Sequence, residues 1–133
     1  MAYNVLLVDD SSITRSVIKK TISMTGIDIG DIYEAVDGIN ALEVLEQHWV
    51  DLVFADLNMP RMDGVELVEK MAESHILENT PVIVISSDRN QRRLVELQSR
   101  GIKGYINKPF RPEQLREIMM QVLGDKDASQ NDE

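Results

Sequence analysis

The apolar residues of the chain fall into two patterns that alternate along its length. Five short runs are almost continuously apolar, as buried strands are, and they span residues 4–8, 32–35, 52–55, 82–85 and 104–106. The segments between these runs place apolar residues three or four positions apart, which is the spacing of a helix that packs one face on a core. Five strands alternating with five helices predict an α/β fold, with a central parallel sheet between two layers of helices. The first, third and fourth runs are the most uniformly apolar and should be the central strands.

The residues at the ends of these segments agree with the alternation. Gly26, Gly101 and Gly124 each follow a predicted helix, where a glycine can adopt a positive φ. Asp37 and Asp63, each followed by a glycine, are turn signals at helix starts, and we assign them no chemistry.

Composition and charge narrow the class of protein. The chain has 133 residues, of which 43% are hydrophobic and 28% charged, and this suits one globular domain. It has no cysteine, which excludes disulfides and thiol catalysis, and its net charge of −9 argues against binding to nucleic acid. No apolar run is long enough to span a bilayer and no signal peptide opens the chain, so we expect a cytoplasmic protein that binds no membrane.

The last ten residues differ from the rest of the chain. Residues 124–133 carry four acids and one lysine but no large apolar residue. Such a segment cannot bury enough apolar surface to offset the entropy lost on ordering. We therefore expect one folded domain over residues 1–123, followed by a flexible acidic tail over residues 124–133.

Polar side chains stand where four of the five predicted strands end. Asp9 and Asp10 follow the first strand, Asp56 the third, Ser86 the fourth and Lys108 the fifth. Because ligands of parallel α/β sheets bind beyond the carboxyl ends of the strands, these side chains should meet at one edge. A single aspartate at a strand end is more often a turn or cap residue, but four such groups together indicate a site.

The charges of these side chains predict a metal site. Two unit charges about 5 Å apart interact by about 3 kcal/mol at an effective dielectric of about 20, so three crowded carboxylates repel one another. Lys108 neutralises one of the three charges, and a divalent cation would neutralise the rest. Oxygen ligands with positions left for water favour Mg²⁺, with Mn²⁺ as a substitute.

A carboxylate beside a bound Mg²⁺ and a lysine suits phosphoryl transfer. Aspartate is a known covalent nucleophile, and the reaction needs charge neutralisation on the phosphoryl oxygens more than it needs a general base. Asp56, on the middle strand, is best placed as the nucleophile, with Asp9 and Asp10 on the side of the metal. Lys108 and the Ser86 hydroxyl would contact the phosphoryl oxygens.

Four segments together resemble the receiver domain of two-component response regulators, and especially CheY-like single-domain regulators: VDDSSITR, VFADLNMPRMDG, VIVISS and GYINKPF. The similarity spans residues 1 to about 123. It implies the flavodoxin-like (βα)5 fold, a three-layer sandwich whose five-stranded parallel sheet has the strand order 2-1-3-4-5. CheY is itself a standard example of that order.

Carried over by position, the resemblance makes Asp56 the phosphoacceptor. It implies that Mg²⁺ binds Asp10, Asp56 and the backbone carbonyl of Asn58, with Asp9 reaching the ion through water. Lys108 would contact the phosphoryl group, and the peptide bond to the proline that follows it would be cis.

The resemblance also implies a switch. Ser86 matches the hydroxyl that moves toward the phosphoryl group, although threonine is commoner there. Tyr105 matches the aromatic residue that then rotates inward and remodels the surface of the fourth helix, fifth strand and fifth helix. Without the family pattern, Tyr105 would be read as a half-buried aromatic of an edge strand.

The fourth helix carries four arginines: Arg89, Arg92, Arg93 and Arg100. They form either a solvated face or a docking surface for an acidic partner.

The function implied is that of a stand-alone response regulator, monomeric and active in signalling. A sensor histidine kinase or phosphotransfer domain would donate the phosphoryl group, and a target protein, in chemotaxis for example, would bind the altered surface. The domain would catalyse only its own phosphorylation and dephosphorylation and would be no enzyme for other substrates. Two alternatives stay open: a receiver of another two-component or phosphorelay pathway, and the receiver portion of a longer regulator with a DNA-binding or other output domain.

Trp49, His48 and His75 lie outside the strand ends, and we expect them to have structural roles only. Trp49 is expected to pack as an anchor between the second helix and the third strand. His48 and His75 are isolated and are expected to lie on the surface.

Overall fold

In the computed structural model, residues 2–87 and 91–131 are described, and within residues 125–131 the backbone alone. Over these residues five strands form a parallel sheet: β1 (Tyr3–Val8), β2 (Ile29–Ala35), β3 (Leu52–Ala55), β4 (Val82–Ser86) and β5 (Gly104–Asn107). Their order across the sheet is β2-β1-β3-β4-β5. The predicted α/β class, the strand order and the central position of β1, β3 and β4 are all confirmed.

A helix follows each strand. The helices are α1 (Ser12–Ser23), α2 (Gly38–Gln47), α3 (Gly64–Glu73), α4 (Gln91–Arg100) and α5 (Pro112–Asn131), with a short 3-10 turn at Ile76–Glu78. Among the described helices, none combines the length and the apolarity needed to cross a membrane.

Two buried layers hold the helices on the sheet, because successive strand residues point to opposite faces. One layer joins the sheet to α2, α3 and α4, and it includes Leu6, Val53, Ala41, Leu67 and Leu97. The other layer joins the sheet to α1 and α5, and it includes Leu7, Phe54, Ile18, Ile22, Leu115 and Met119. The chain therefore forms the predicted three-layer sandwich.

β2 begins at Ile29, three residues before the strand predicted from the sequence. The prediction was too short because Gly30 and Asp31 interrupt the apolar run. The structure pairs Tyr3 with Ile29, and the register shifts just after this pair. At the irregularity, the Asp31 N–H donates to the side-chain carbonyl of Asn4 at 2.9 Å. A side-chain oxygen thus accepts the hydrogen bond in place of a backbone carbonyl. The pattern of apolar residues does not reveal such a bond.

The helix ends confirm two of the three predicted glycines. Gly26 and Gly101 have φ values of 77° and 106° and lie just beyond α1 and α4. The prediction for Gly124 is wrong, because α5 continues through it to Asn131. A glycine inside a helix costs only about 1 kcal/mol relative to alanine, so glycine alone does not end one. The flexibility of the tail over residues 124–133 stays a prediction, and residues 132 and 133 lie outside the described residues.

Asp37 and Asp63 cap α2 and α3, as predicted. The Asp37 carboxylate accepts the Asn40 N–H at 2.9 Å. Asp63 forms a capping box with Glu66, in which each side chain bonds the other residue's backbone N–H.

Trp49 does not pack in the core, so that prediction is wrong. Its side chain is 66% exposed, and its indole N–H donates to Asp51 at 3.0 Å. The next residue, Val50, is buried instead, and a shift of one residue decides which side chain faces the sheet. His48 is exposed, as is His75, as predicted, and the His48 ring stacks on Tyr33.

Candidate functional site

The strand ends bring the predicted site residues together at the carboxyl edge of the sheet. Asp9 and Asp10 follow β1, Asp56 follows β3, Ser86 ends β4 and Lys108 follows β5. One carboxylate oxygen from each of the three aspartates lies within 4.8 Å of the other two. The sheet thus assembles the cluster that the sequence pattern predicts, although proximity alone assigns no role to any member.

Asp9 is the most deeply buried acid of the cluster, at 2% exposure. Its Oδ1 accepts the Ser11 N–H at 2.9 Å, and its Oδ2 accepts from the Lys108 ammonium at 3.4 Å. Both oxygens are therefore engaged within the chain. Asp10, by contrast, is exposed and faces solvent at the rim of the cluster.

Lys108 is the cation that links two of the acids. Its Nζ lies 3.4 Å from Asp9 Oδ2 and 3.8 Å from Asp56 Oδ2. The Lys108 N–H donates to the Ser86 carbonyl at 3.0 Å, which fixes the start of this side chain to the end of β4. The peptide bond from Lys108 to Pro109 is cis, as the resemblance implies.

Asp56 stands at the centre of this arrangement with its side chain 14% exposed. Its own N–H donates to the Val8 carbonyl at 3.0 Å, so the backbone of β1 fixes its position. Burial raises the pKa of the Asp56 carboxyl above its ordinary value, and Asp9 adds to that rise. The Lys108 charge and the backbone N–H groups of Asn58 and Leu57 act in the opposite direction. Lys108 and the backbone N–H groups therefore compensate the ionised Asp56 carboxylate only in part.

The loop after Asp56 depends on a close approach between backbones. Gly64, the first residue of α3, donates its N–H to the Leu57 carbonyl at 3.0 Å. A Cβ on Gly64 would lie 2.5 Å from the Asp56 carbonyl oxygen and 3.0 Å from the Leu57 Cα. Only glycine allows α3 to start this near the site residue.

Gly64→Ala is therefore expected to lower the free energy of unfolding by about 1–3 kcal/mol, the usual cost of overpacking. Urea unfolding followed by circular dichroism measures this change. Gly124→Ala is the matched control, because nothing lies within 4 Å of a Cβ there and alanine favours a helix. A Gly64→Ala variant as stable as the wild type would show that the close approach is not present in solution.

Ser86 and Tyr105 lie on neighbouring strands near the site. Ser86 is fully buried at the end of β4 and pairs with Asn107 of β5. Tyr105 pairs with Val84 and packs, partly buried, against the layer that includes Leu97 of α4. The position of Tyr105 is that of a half-buried aromatic residue on an edge strand. The switch roles of Ser86 and Tyr105 stay predictions.

Two arginines contact the surroundings of the site, and the sequence interpretation missed both. Arg15 of α1 donates from Nη1 to the Asp9 carbonyl and from Nε to Glu34 at 2.9 Å. Arg61, in the loop after Asp56, donates from Nε to Asp37 at 2.6 Å. Arg15 lies in the motif VDDSSITR and Arg61 in the motif VFADLNMPRMDG, so the sequence placed both near the site. Their partners Glu34 and Asp37 lie on other elements, so the sequence did not reveal the contacts.

The donor set can bind a metal ion. Three carboxylates face one ammonium, and all the oxygens offered are hard ligands of the kind that Mg²⁺ and Mn²⁺ prefer. The partial exposure of the site leaves room for water or for a small anion beside Lys108.

Comparison with known proteins agrees with this arrangement. The sequence model of the response regulator receiver domain matches residues 5–120. The chemotaxis protein CheY homolog of Campylobacter jejuni is 37% identical over 120 residues, which are 90% of this chain and 91% of that protein. Chemotaxis protein CheY1 of Helicobacter pylori is 36% identical over 123 residues, which are 92% of this chain and 98% of that one.

A solved structure shows the same similarity in three dimensions. In the crystal structure of the CheX–CheY–BeF3–Mg²⁺ complex from Borrelia burgdorferi, one chain matches with a TM-score of 0.80 and 30% identity. The match covers 90% of this chain and 88% of that one. The protein therefore belongs to the response regulator receiver domain family of two-component signalling. Within that family it is a CheY-like receiver domain.

Proposed function

We propose that the chain is a stand-alone phosphorylation switch. A sensor histidine kinase or a phosphotransfer domain donates a phosphoryl group to Asp56, and the product binds a target protein through the face of α4, β5 and α5. The observation that carries this proposal is the Lys108 ammonium, which lies between the carboxylates of Asp9 and Asp56 in a cluster of three acids. The names of the relatives support a role in chemotaxis, and we propose a monomer that acts in the cytoplasm.

The residues present fit a bound Mg²⁺ ion, or Mn²⁺ in its place. Asp10, Asp56 and the backbone carbonyl of Asn58 would hold the ion. Asp9 would reach it through water, because both oxygens of Asp9 already accept hydrogen bonds within the chain. When bound, the ion neutralises charge on the phosphoryl oxygens. The CheX–CheY complex from Borrelia burgdorferi contains Mg²⁺ and BeF3, which supports the presence of a Mg²⁺ site but names no ligand residue.

The transfer step requires the ionised carboxylate of Asp56. One of its oxygens attacks the phosphorus atom of a phosphohistidine, a P–O bond forms as the P–N bond breaks, and the electron pair returns to the imidazole nitrogen. Lys108 neutralises charge on the phosphoryl oxygens, and the Ser86 hydroxyl donates a hydrogen bond to one of them. Attack by water later releases phosphate, so the domain acts only on its own phosphorylation state.

The output face is proposed on its position and its charge. Ser86 lies on β4 and Tyr105 on β5, the strands before and after α4 in the chain, and Tyr105 packs in the layer that includes Leu97 of α4. We expect a movement of Ser86 toward the site to change the packing of that layer. Arg92 and Arg93 of α4 supply positive charge for an acidic target. Arg100 of the same helix pairs with Glu69 at 3.0 Å and with Glu96 at 3.2 Å, and Arg89 lies outside the described residues.

Intact-mass spectrometry tests this function. Wild-type protein incubated with Mg²⁺ and the small donor phosphoramidate is expected to gain the mass of one phosphoryl group, and Asp56→Asn is expected to gain none. The same incubation with EDTA is the control for the metal. An adduct of equal yield on Asp56→Asn, or no adduct on either protein, would contradict the assignment of Asp56.

Magnesium is also expected to stabilise the protein, because it relieves the crowding of the three carboxylates. A ligand at about one hundred times its Kd adds about 2.7 kcal/mol to the free energy of unfolding, so saturating Mg²⁺ should raise the melting temperature by several degrees. Asp10→Asn should melt higher than the wild type without metal and lose most of the rise with metal. Differential scanning calorimetry measures both, and an unchanged wild-type melting temperature would rule out a magnesium site.

A further inference from the structure

An ion pair ties the loop that follows Asp56 to the start of α2. Arg61 Nε lies 2.6 Å from Asp37 Oδ2. The Asp37 side chain is 2% exposed and the Arg61 side chain is 58% exposed, so the acid is fixed in the fold and the base reaches in from the surface. A buried carboxylate needs such a partner, because an unpaired charge there is costly.

The backbone at Arg61 is held in an unusual conformation. Its φ is 62°, a value that few residues other than glycine adopt. The Met62 N–H donates to the Pro60 carbonyl at 2.6 Å, which closes a three-residue turn centred on Arg61. Such a turn persists where the surrounding contacts determine it, and the Asp37 pair is one of these contacts.

A second contact fixes the same turn. The Gly38 N–H donates to the Met62 carbonyl at 3.0 Å. Met62 also packs directly on Gly38, where a Cβ would lie 2.5 Å from the Met62 Cγ. Asp37 and Gly38 together therefore hold the far end of the loop, while Gly64 holds its return to Asp56.

The two oxygens of Asp37 have separate tasks. Oδ1 accepts the Asn40 N–H at 2.9 Å and caps α2, which leaves Oδ2 for Arg61. Burial by itself would raise the pKa of Asp37, yet Arg61 and the N–H groups of Asn40 and Ile39 hold that pKa below its ordinary value. An asparagine at position 37 would keep the cap and lose the ion pair.

We propose that Arg61, held by Asp37, is a positioning residue for the Asp56 site. Asn58 lies two residues after Asp56 and three residues before Arg61 in this loop, and its backbone N–H lowers the pKa of the Asp56 carboxyl. Fixing Arg61 therefore fixes the segment that carries Asn58 and keeps its backbone beside the acidic cluster. The inference rests on the proposed function, since it concerns the metal affinity of that same site.

Isothermal titration with Mg²⁺ tests the inference on Arg61→Asn and Asp37→Asn. Asparagine tolerates positive φ, so Arg61→Asn removes the ion pair without adding backbone strain. Both variants are expected to bind Mg²⁺ about tenfold more weakly, which is the lower end of the usual cost of losing an outer partner of a metal site. Arg61→Lys keeps the charge and should recover affinity to within about threefold of the wild type.

The two variants change the net charge in opposite directions, which distinguishes a positioning effect of the ion pair from a long-range electrostatic effect on Mg²⁺ binding. Arg61→Asn makes the protein more negative and Asp37→Asn makes it less negative, so a general field effect would shift the two affinities in opposite directions. Arg100→Asn removes an arginine paired with Glu69 on another face and is the control for net charge. A second measurement, hydrogen exchange, should show faster exchange of the Met62 and Gly38 N–H groups in both variants.

The outcomes are distinct. Weaker binding in both variants, with recovery in Arg61→Lys and none of the loss in Arg100→Asn, supports the inference. If both variants bind Mg²⁺ within about twofold of the wild type, the ion pair is structural only and the inference is overturned, whatever the melting temperatures. If the wild type itself binds no Mg²⁺, the magnesium site of the proposed function fails first, and the inference fails with it.

Discussion

Lys108→Met is expected to slow phosphorylation of Asp56 by about 10²–10³-fold, the usual effect of removing one group that stabilises the transition state. The Lys108 ammonium lies between Asp9 and Asp56, where the charge of an incoming phosphoryl group would fall. Methionine keeps most of the length of the side chain and removes its charge. The initial rate of adduct formation, followed by intact mass at saturating Mg²⁺, measures the effect.

Two further measurements show whether the charge is the cause. Lys108→Met should bind Mg²⁺ more tightly than the wild type, because the acids lose their competing cation. A slow transfer despite tighter metal binding would therefore point to lost contact with the phosphoryl group. Lys103→Met is the control, since Lys103 is exposed and lies before β5, at the other end of that strand. A Lys108→Met rate equal to that of Lys103→Met would remove Lys108 from the reaction.

Asp56→Asn is expected to raise the melting temperature by a few degrees in magnesium-free buffer at neutral pH, a change of about 1 kcal/mol in a domain of this size. The wild-type carboxylate is largely buried beside Asp9, and Lys108 compensates it only in part. Asparagine keeps the shape and removes the charge. Glu46→Gln, on the exposed surface of α2, is the control for a loss of one negative charge.

The pH dependence of this gain follows from the direction of the pKa shift. The folded state holds the Asp56 proton more tightly than the unfolded chain, so the stability that this group contributes is full below its ordinary pKa of 3.8. It is lost as the pH rises through the raised value. The advantage of Asp56→Asn should therefore be largest at neutral pH and vanish below the ordinary pKa. A variant that melts lower than the wild type at neutral pH would contradict the direction of the shift.

Much of the fold was predictable because it depends on the two periodicities of apolar residues. β3 and β4 read as uninterrupted apolar runs, and their burial on both faces explains why. The clustering of Asp9, Asp56 and Lys108 was predictable as well, because the strands of a parallel sheet all end at one edge. These inferences need only the strand ends and no side-chain packing.

The features that escaped prediction depend on contacts between distant segments. The start of β2 rests on the Asn4 side chain, and the place of Trp49 rests on which neighbour fills the core. The bond from Arg15 to the Asp9 carbonyl and the pair of Arg61 with Asp37 join elements that the sequence keeps apart. No periodicity encodes such pairings, so only the folded arrangement reveals them.

The central claim is that Asp56 is the residue that accepts the phosphoryl group, and chemical trapping tests it most directly. Sodium borohydride reduces an aspartyl phosphate to homoserine, which peptide mass spectrometry locates in the sequence. After incubation with Mg²⁺ and phosphoramidate, we predict homoserine at position 56 and unmodified aspartate at positions 9 and 10. Homoserine at Asp9 or Asp10, or none at Asp56 in protein that carries the adduct, would contradict the claim.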